Sequence, residues 1–353
     1  MRHSDTRLEH PSGGRRSVQA FAPGRVNLIG EHTDYNEGLC LPFALQRGVT
    51  VTATPLNGGD QVEVSATDLA ENDRFPVIAP DPADGWRAYV RGAAAELQRA
   101  GLEIRPCRLE ITSDLPREAG LSSSAALTVA TCLALGAGDL DRVELARICS
   151  RVENDWTGAQ TGLLDQLAVL CSQAGEAIRI DMRGLLIRPV PLELAGHTLA
   201  TLDSGAPRSL AGSGYNERRA ECARACAVLG IDSLRDASSA GGLPHPLDRR
   251  VRHVITENER VDAAVAALEG EDLAELGRLL DASHTSLRDD YEVSTPEVER
   301  AVAACKEAGA LGARIMGGGF GGSVLALFPP GRQPPPGAVP VSPGPAARFA
   351  ARV

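Results

Sequence analysis

The sequence predicts an α+β protein of two domains. Three observations carry this. Strand-like apolar runs open the chain, VQAFAPGRVNLIGE at 18–31 and LCLPFALQRGVTVTATPL at 39–56, each broken by turn residues. Helix-length segments and one further strand then alternate up to Gly175. Beyond it the texture changes to two strand-like runs followed by three long polar helices. A boundary near 175–180 therefore divides an N-terminal domain, 1–178, from a C-terminal domain, 179–353.

The elements follow in order. WRAYVRGAAAELQRAG reads as a helix stopped by Gly101, and CRLEITSDLP alternates as a strand before Pro116. AALTVATCLALGAG is an apolar helix. DRVELARICSRVEND places Leu145, Ile148, Cys149 and Val152 on one helical face, and GLLDQLAVLCSQAG is a third helix. AIRIDMRGLLIRPVPL and GHTLATLDSGAPRS read as strands. Polar helices are expected around 214–229, 250–268 and 271–287. Ser294-Thr295-Pro296-Glu297 reads as a capping box with proline in the first turn of a helix ending near Gly309. Residues 329–345 hold eight prolines and are expected to form no regular element. AARFAARV at the end is a short strand or a tail.

The net charge of −10 and pI near 5.3 disfavour nucleic acid and acidic membranes as partners. No apolar run approaches ~20 residues, and residues 1–19 contain no apolar signal-peptide core. Eight cysteines without a C-x-x-C read as reduced thiols of a cytoplasmic protein. A monomer accommodates every motif, and no oligomeric state is assigned.

Three segments carry chemistry. In EAGLSSSAALTVA, Gly120 permits a tight turn, and Ser122, Ser123 and Ser124 are small enough for a ligand to reach the backbone. Unpaired N–H groups and the helix dipole there favour an anion. A plain serine N-cap is the ordinary alternative. In IMGGGFGGSVLALF, Gly317, Gly319 and Gly322 satisfy G-x-G-x-x-G, but the following run is short and no acid occurs after Glu307. A Rossmann reading therefore fails, leaving a loop between short strands that approaches something closely. In QTGLLDQLAVL, Asp165 sits near the start of an apolar helix. If that helix is buried, the carboxylate needs a partner, and Arg25 is the candidate.

Together with APGRVNLIGEHTDYN, these segments resemble the GHMP kinases and, within them, the galactokinase family. The resemblance covers roughly residues 20–328 and includes PREAGLSSSAA, IMGGGFGGS, TGLLDQ, SGYNERR, RHVITEN and SHTSLRDDYEVSTPE. It implies two domains with the active site in the cleft between them. It implies transfer of the ATP γ-phosphate to the anomeric hydroxyl of galactose, with Mg²⁺. By the same resemblance, Arg25 and Asp165 match catalytic positions, with Asp165 accepting the hydroxyl proton or orienting it. Glu31, His32, Asp34, Gly162 and Tyr215 match sugar-contacting positions. Gly120, Leu121, Ser122, Ser123 and Ser124 match the phosphate cradle, and Ser124 and Glu153 match magnesium ligands. Ile315-Met316 and Ser323 depart from the usual residues of the third motif, and the proline-rich segment replaces a helix. A non-catalytic galactose and ATP sensor is a competing reading that the complete serine loop disfavours. A kinase for a related sugar such as N-acetylgalactosamine is another.

Overall fold

Pro23 and Gly24 interrupt the first strand of the protein, and that interruption shapes the site. The computed structural model describes residues 17–116, 120–206 and 213–350. Strand β1 (Val18–Asn27) pairs antiparallel with β3 (Pro42–Pro55), and the register shifts between Pro23 and Arg25. Proline cannot donate to the ladder, so a bulge is where a sheet tolerates it. A Cβ on Gly24 would press into Leu115 and the Leu121 carbonyl, while the next N–H, that of Arg25, donates to that carbonyl at 3.0 Å. The bulge thus ties β1 to the serine loop and aims Arg25 at it.

The remaining strands of this sheet are β4 (Gln61–Ala66), β5 (Glu71–Pro76) and β6 (Cys107–Ser113). The order is β13-β1-β3-β6-β4-β5, where β13 is the short strand Arg348–Phe349, and β4 and β6 are parallel. Strands β4 and β5 are a hairpin in the stretch between the predicted elements. Strand β4 buries every second side chain, Val62, Val64 and Ala66, whereas the polar β5 buries only Phe75 and so shows no alternation.

Helices α1 (Trp86–Arg99), α2 (Ser123–Ala134), α3 (Arg142–Arg151) and α4 (Leu164–Cys171) form the helical part of this half. Helix α2 packs on β1 and β3 and is buried from Ala125 to Ala134, as its unbroken apolar run demands. Helix α3 continues into a π-helical turn at Val152–Trp156. The single-turn π-helix is a rare geometry, often found at functional sites.

Strands β2 (Leu39–Cys40), β7 (Glu176–Asp181) and β8 (Leu186–Pro191) form a separate sheet in the order β2-β7-β8. Residue 178 falls inside β7. The other half contains β9 (Thr198–Asp203), β10 (Gly312–Ile315), β11 (Ser323–Phe328) and β12 (Val339–Val341), ordered β10-β11-β9-β12. Helices α5 (Ser213–Leu229), α6 (Leu247–Glu269), α7 (Leu273–Asp289) and α8 (Pro296–Glu307) complete it.

Two expectations are corrected. The α8 cap is Thr295, whose side chain accepts from the Val298 N–H, with Pro296 at the first turn. Ser294 instead donates to Glu299 at 2.5 Å. The cap moves by one residue because threonine directly before proline already has the extended backbone a cap requires, and with Val298 three residues on no reciprocal box forms. The proline-rich segment also forms regular structure. Within it β12 pairs with β9 at a sheet edge, Pro343 bridges to Leu45, and Gly344 N–H donates to the Ala44 carbonyl at 2.7 Å. An edge strand needs only one side of its ladder, so it accommodates Pro340. The chain then closes the first sheet with β13 (Arg348–Phe349) against β1. The expectations about residues 1–16, and the parts of the serine loop at 117–119 and of the strand run at 207–209, lie outside the described residues.

Candidate active site

A cleft of about 260 Å³ lies where β1, the serine loop, the start of α4 and the glycine loop meet. All the site residues singled out from the sequence line it: Arg25, Glu31, His32, Asp34, Gly120 to Ser124, Glu153, Gly162, Asp165 and Tyr215. They come from five separate stretches of chain, which the fold brings together.

Arg25 is 4 % exposed and holds Asp165 through Nε and Nη2, each 2.7 Å from Oδ1. Its Nη1 donates to the Gly120 carbonyl at 2.8 Å. The other Asp165 oxygen accepts from the Ser122 hydroxyl. That bond removes the plain N-cap reading for Ser122. Ser122 occupies the N-cap position of α2 with φ 55°, yet makes no side-chain capping bond. Its hydroxyl serves Asp165 instead, which leaves the first-turn N–H groups of α2 uncapped toward the cleft, a polarity that favours anionic oxygen.

Ser124 donates to Oε1 of Glu153 at 2.7 Å. Oε2 of Glu153 accepts from Thr161 at 2.8 Å and Gln166 at 2.7 Å. Burial pushes the Glu153 carboxyl above its usual range, and the nearby Asp165 charge adds to this. A cation beside Glu153 would relieve both effects. The π turn presenting Glu153 is braced from α1: buried Glu96 accepts from Arg151 at 3.0 Å and from Trp156 Nε1 at 3.3 Å.

The loop 30–39 carries the polar groups of the opening motif. Glu31 Oε1 accepts from Arg314 Nη2 and the Gly317 N–H, both at 2.6 Å. Burial would raise the Glu31 carboxyl, but Arg314 and Arg25 outweigh it and hold it below its usual range. His32 adopts φ 60° and is pushed down to about 3 by burial, so it is neutral at ordinary pH. Asp34 is raised to about 6, chiefly by burial. Its carboxylate packs onto the Cα of Gly162, where any Cβ would collide with it. That close approach explains the glycine. The Tyr215 ring, from α5, lies 5.4 Å from that of His32.

Besides Thr161, Gln166 and Glu96, four further residues that build the site carried no role in the sequence reading. Arg314, at 0 % exposure, ties Glu31 to the glycine loop. On α6, His253 lies 3.1 Å from the Glu31 carbonyl, Glu257 accepts from Gly30 N–H at 3.0 Å, and Asn258 accepts from Leu39 N–H at 2.7 Å. RHVITEN is thus the face of α6 that pins loop 30–39. Its signal was the i, i+4 pair His253 and Glu257 on a helical face otherwise apolar at Val254 and Val261.

In the glycine loop, a Cβ on Gly319, whose φ is 78°, would strike Val293, and one on Gly318 would strike the Tyr215 ring. The close approach expected of this loop is therefore to 293 and 215 as well as to the Glu31 carboxylate.

Polar walls of both signs, an uncapped helix N-terminus and a hydroxyl–carboxylate pair define a phosphotransfer site. Comparison with known proteins agrees. The GHMP kinases N terminal domain matches residues 88–173, and the GHMP kinases C terminal domain matches 264–335. A mevalonate kinase structure from Methanococcus jannaschii covers 90 % of this chain and 92 % of its own, with a TM-score of 0.62 at 18 % identity, so it shares the fold. The protein is a GHMP kinase.

The galactokinase galactose-binding signature matches residues 12–55. A galactokinase of Mycobacterium tuberculosis H37Rv is 45 % identical over 329 residues, 90 % of each chain. One from Streptomyces coelicolor is 41 % identical over 325 residues, 87 % of this chain and 83 % of its own. A crystal structure of Lactococcus lactis galactokinase complexed with galactose superposes with a TM-score of 0.87 at 32 % identity, covering 95 % of both chains. The chain belongs to the galactokinase family and is an ATP-dependent sugar kinase.

Proposed function

We propose that the cleft transfers the γ-phosphate of ATP to the anomeric hydroxyl of galactose, giving galactose 1-phosphate and ADP. The observation that carries this is the Arg25–Asp165 pair standing between the uncapped N-terminus of α2 and the polar loop 30–39. Phosphoryl transfer needs alignment and charge neutralisation more than covalent help from the protein. In this reading the first turn of α2 cradles the phosphates. Arg25 neutralises charge developing on the transferred group. Asp165 accepts or orients the attacking hydroxyl, and its two other partners fix its direction. Glu31, His32, Asp34 and Tyr215 hold the sugar.

The donor set also fits Mg²⁺. A hydroxyl and a carboxylate, Ser124 and Glu153, are hard oxygen donors at one point of the cleft, and this ion binds through one or two protein oxygens plus phosphate oxygens. When bound, Mg²⁺ supplies charge neutralisation of the polyphosphate. Thr161 and Gln166 keep Glu153 aimed at it. Among the described residues no helix is long and apolar enough to cross a membrane. The eight free cysteines support the reading of a cytoplasmic enzyme.

The test is a coupled ADP-release assay with galactose, glucose and N-acetylgalactosamine, with and without Mg²⁺. Mg²⁺-dependent ADP release with galactose supports the reading. Galactose binding without ADP release would make the protein a sensor, and a higher kcat/KM with N-acetylgalactosamine would reassign the sugar.

A further inference from the structure

A row of hydrogen-bonding groups runs from the cleft into the core of the C-terminal half. His32 Nδ1 lies 2.8 Å from the Tyr35 hydroxyl. Tyr35 lies 3.0 Å from the Tyr291 hydroxyl, and Tyr291 lies 3.0 Å from Cys222 Sγ. Tyr291 is fully buried and Cys222 is 2 % exposed. At the cleft end, His32 Nε2 is buried and, although near the Gly318 backbone, completes no hydrogen bond. We infer that Tyr35 and Tyr291 are positioning residues that fix His32 in the Nε2–H tautomer, so that it offers the sugar one hydrogen-bond donor. This rests on the reading that His32 touches the sugar.

The direction follows from counting protons. The row has three contacts, and each needs one hydrogen. Four assignments satisfy all three, but two of them leave the hydroxyl proton of Tyr35 or Tyr291 outside the row with no acceptor, so two orders remain. Either the thiol donates to Tyr291, Tyr291 to Tyr35 and Tyr35 to Nδ1, or every donor reverses and Nδ1–H begins the row. The acceptors at the two ends are unequal. An imidazole nitrogen is a strong acceptor, whereas a thiol sulfur is a weak one. The sulfur also already faces the Asn36 side-chain N–H at 3.6 Å. The first order therefore ends on the better acceptor, and each bond in the row polarises the next toward it. Burial raises Cys222 to about 11, so its proton is present to begin the row. With Nδ1 accepting, the single ring proton of neutral His32 lies on Nε2.

The consequence is selective. A hydroxyl that accepts at Nε2–H is bound, and a sugar lacking an acceptor there leaves a buried donor unpaired. Tyr35→Phe and Tyr291→Phe keep ring packing while removing the row.

The experiment is ¹⁵N NMR of the His32 ring together with steady-state kinetics. In the wild type the ring should show Nε2–H, unchanged between pH 6 and 8. Tyr35→Phe should mix the tautomers and raise galactose KM about fivefold to tenfold, the usual effect of one buried hydrogen bond, with a far smaller change in kcat and in the KM for ATP. Tyr291→Phe should move both readouts in the same direction by less. An Nδ1–H tautomer in the wild type overturns the proposal, and so does an unchanged tautomer with unchanged galactose KM in folded Tyr35→Phe. His32→Asn separates the parent reading: if galactose KM stays the same in that variant, His32 is not in the sugar site, whatever its tautomer.

Discussion

Arg25 and Asp165 meet with two guanidinium nitrogens on one carboxylate oxygen, each at 2.7 Å. The second oxygen is taken by Ser122. This carboxylate is oriented before any substrate arrives. Asp165→Asn should lower kcat by ~10²–10⁴-fold, the usual cost of losing a catalytic acid or base, while galactose still binds. Arg25→Ala should lower kcat as well, through lost charge stabilisation and through release of Asp165. Initial rates of ADP release beside calorimetric galactose titration check both. Near-normal kcat in folded variants would remove the pair from the chemistry.

The second prediction concerns acid stability. Glu257 is fully buried and held down to about 2, against 4.5 ordinarily. Burial alone would raise it; Arg260, His253 and Arg314 reverse that. A depressed carboxyl favours folding above the unfolded-state value, and its contribution fades as pH falls from about 4.5 toward 2. Glu257→Gln leaves Arg260 short of its partner and weakens the anchor on Gly30, costing roughly 3 kcal/mol near neutrality. Urea unfolding of both proteins between pH 6 and 3 measures it. The gap should narrow as the wild type protonates, and a pH-independent gap would mean the carboxylate's charge is not what stabilises.

A third prediction reverses what proline content suggests. Removing residues 333–346 deletes β12, the Pro343–Leu45 bridge and the Gly344 bond to Ala44, and detaches β13 from its approach. The variant should lose several °C in Tm, since a chain of this length shifts roughly 1–2 °C per kcal/mol and the lost pairing is worth several kcal/mol. Differential scanning fluorimetry decides it. An unchanged Tm would mean the segment is the exposed connector that its composition resembles.

What was legible in the sequence depended on how locally each residue's reason operates. Helix α2 announced itself because a buried helix is apolar on all sides. Asp165 stood out because a carboxylate opening an apolar helix needs a cation, and Arg25 supplied it. Glu153 and Tyr215, by contrast, were visible only through resemblance, because their surroundings are made by distant chain: Thr161 and Gln166 for one, the glycine loop for the other. Arg314 was silent for the same reason. An arginine in a short apolar strand has meaning only once Glu31, 283 residues away, is known to face it. β12 was missed because propensity counts prolines but cannot see that the strand lies at an edge.

The last prediction concerns Asp34 and sugar choice. Galactose and glucose differ only at the C4 hydroxyl, so discrimination requires a fixed group that loses its partner with the wrong epimer. Asp34 is the candidate for that group: its carboxylate is packed on Gly162, where no side chain fits, and it lines the cleft together with Tyr215. Burial, with Asp165 and Glu31 adding repulsion, raises it to about 6 in the free enzyme. Below that pH the group is protonated and has lost a charged acceptor. The kcat/KM for galactose, which reports free-enzyme ionisations, should therefore be flat above about pH 6 and fall below it. Asp34→Asn should have a lower kcat/KM at pH 8, lose the fall assigned to this group, and show a smaller galactose-to-glucose ratio, with little change in the KM for ATP. Gly162→Ala should act on the same ratio by displacing the carboxylate. If Asp34 only supported the turn at 34–36, its loss would lower Tm and leave the sugar ratio and pH profile as they are. That outcome in a folded Asp34→Asn protein would remove Asp34 from sugar recognition.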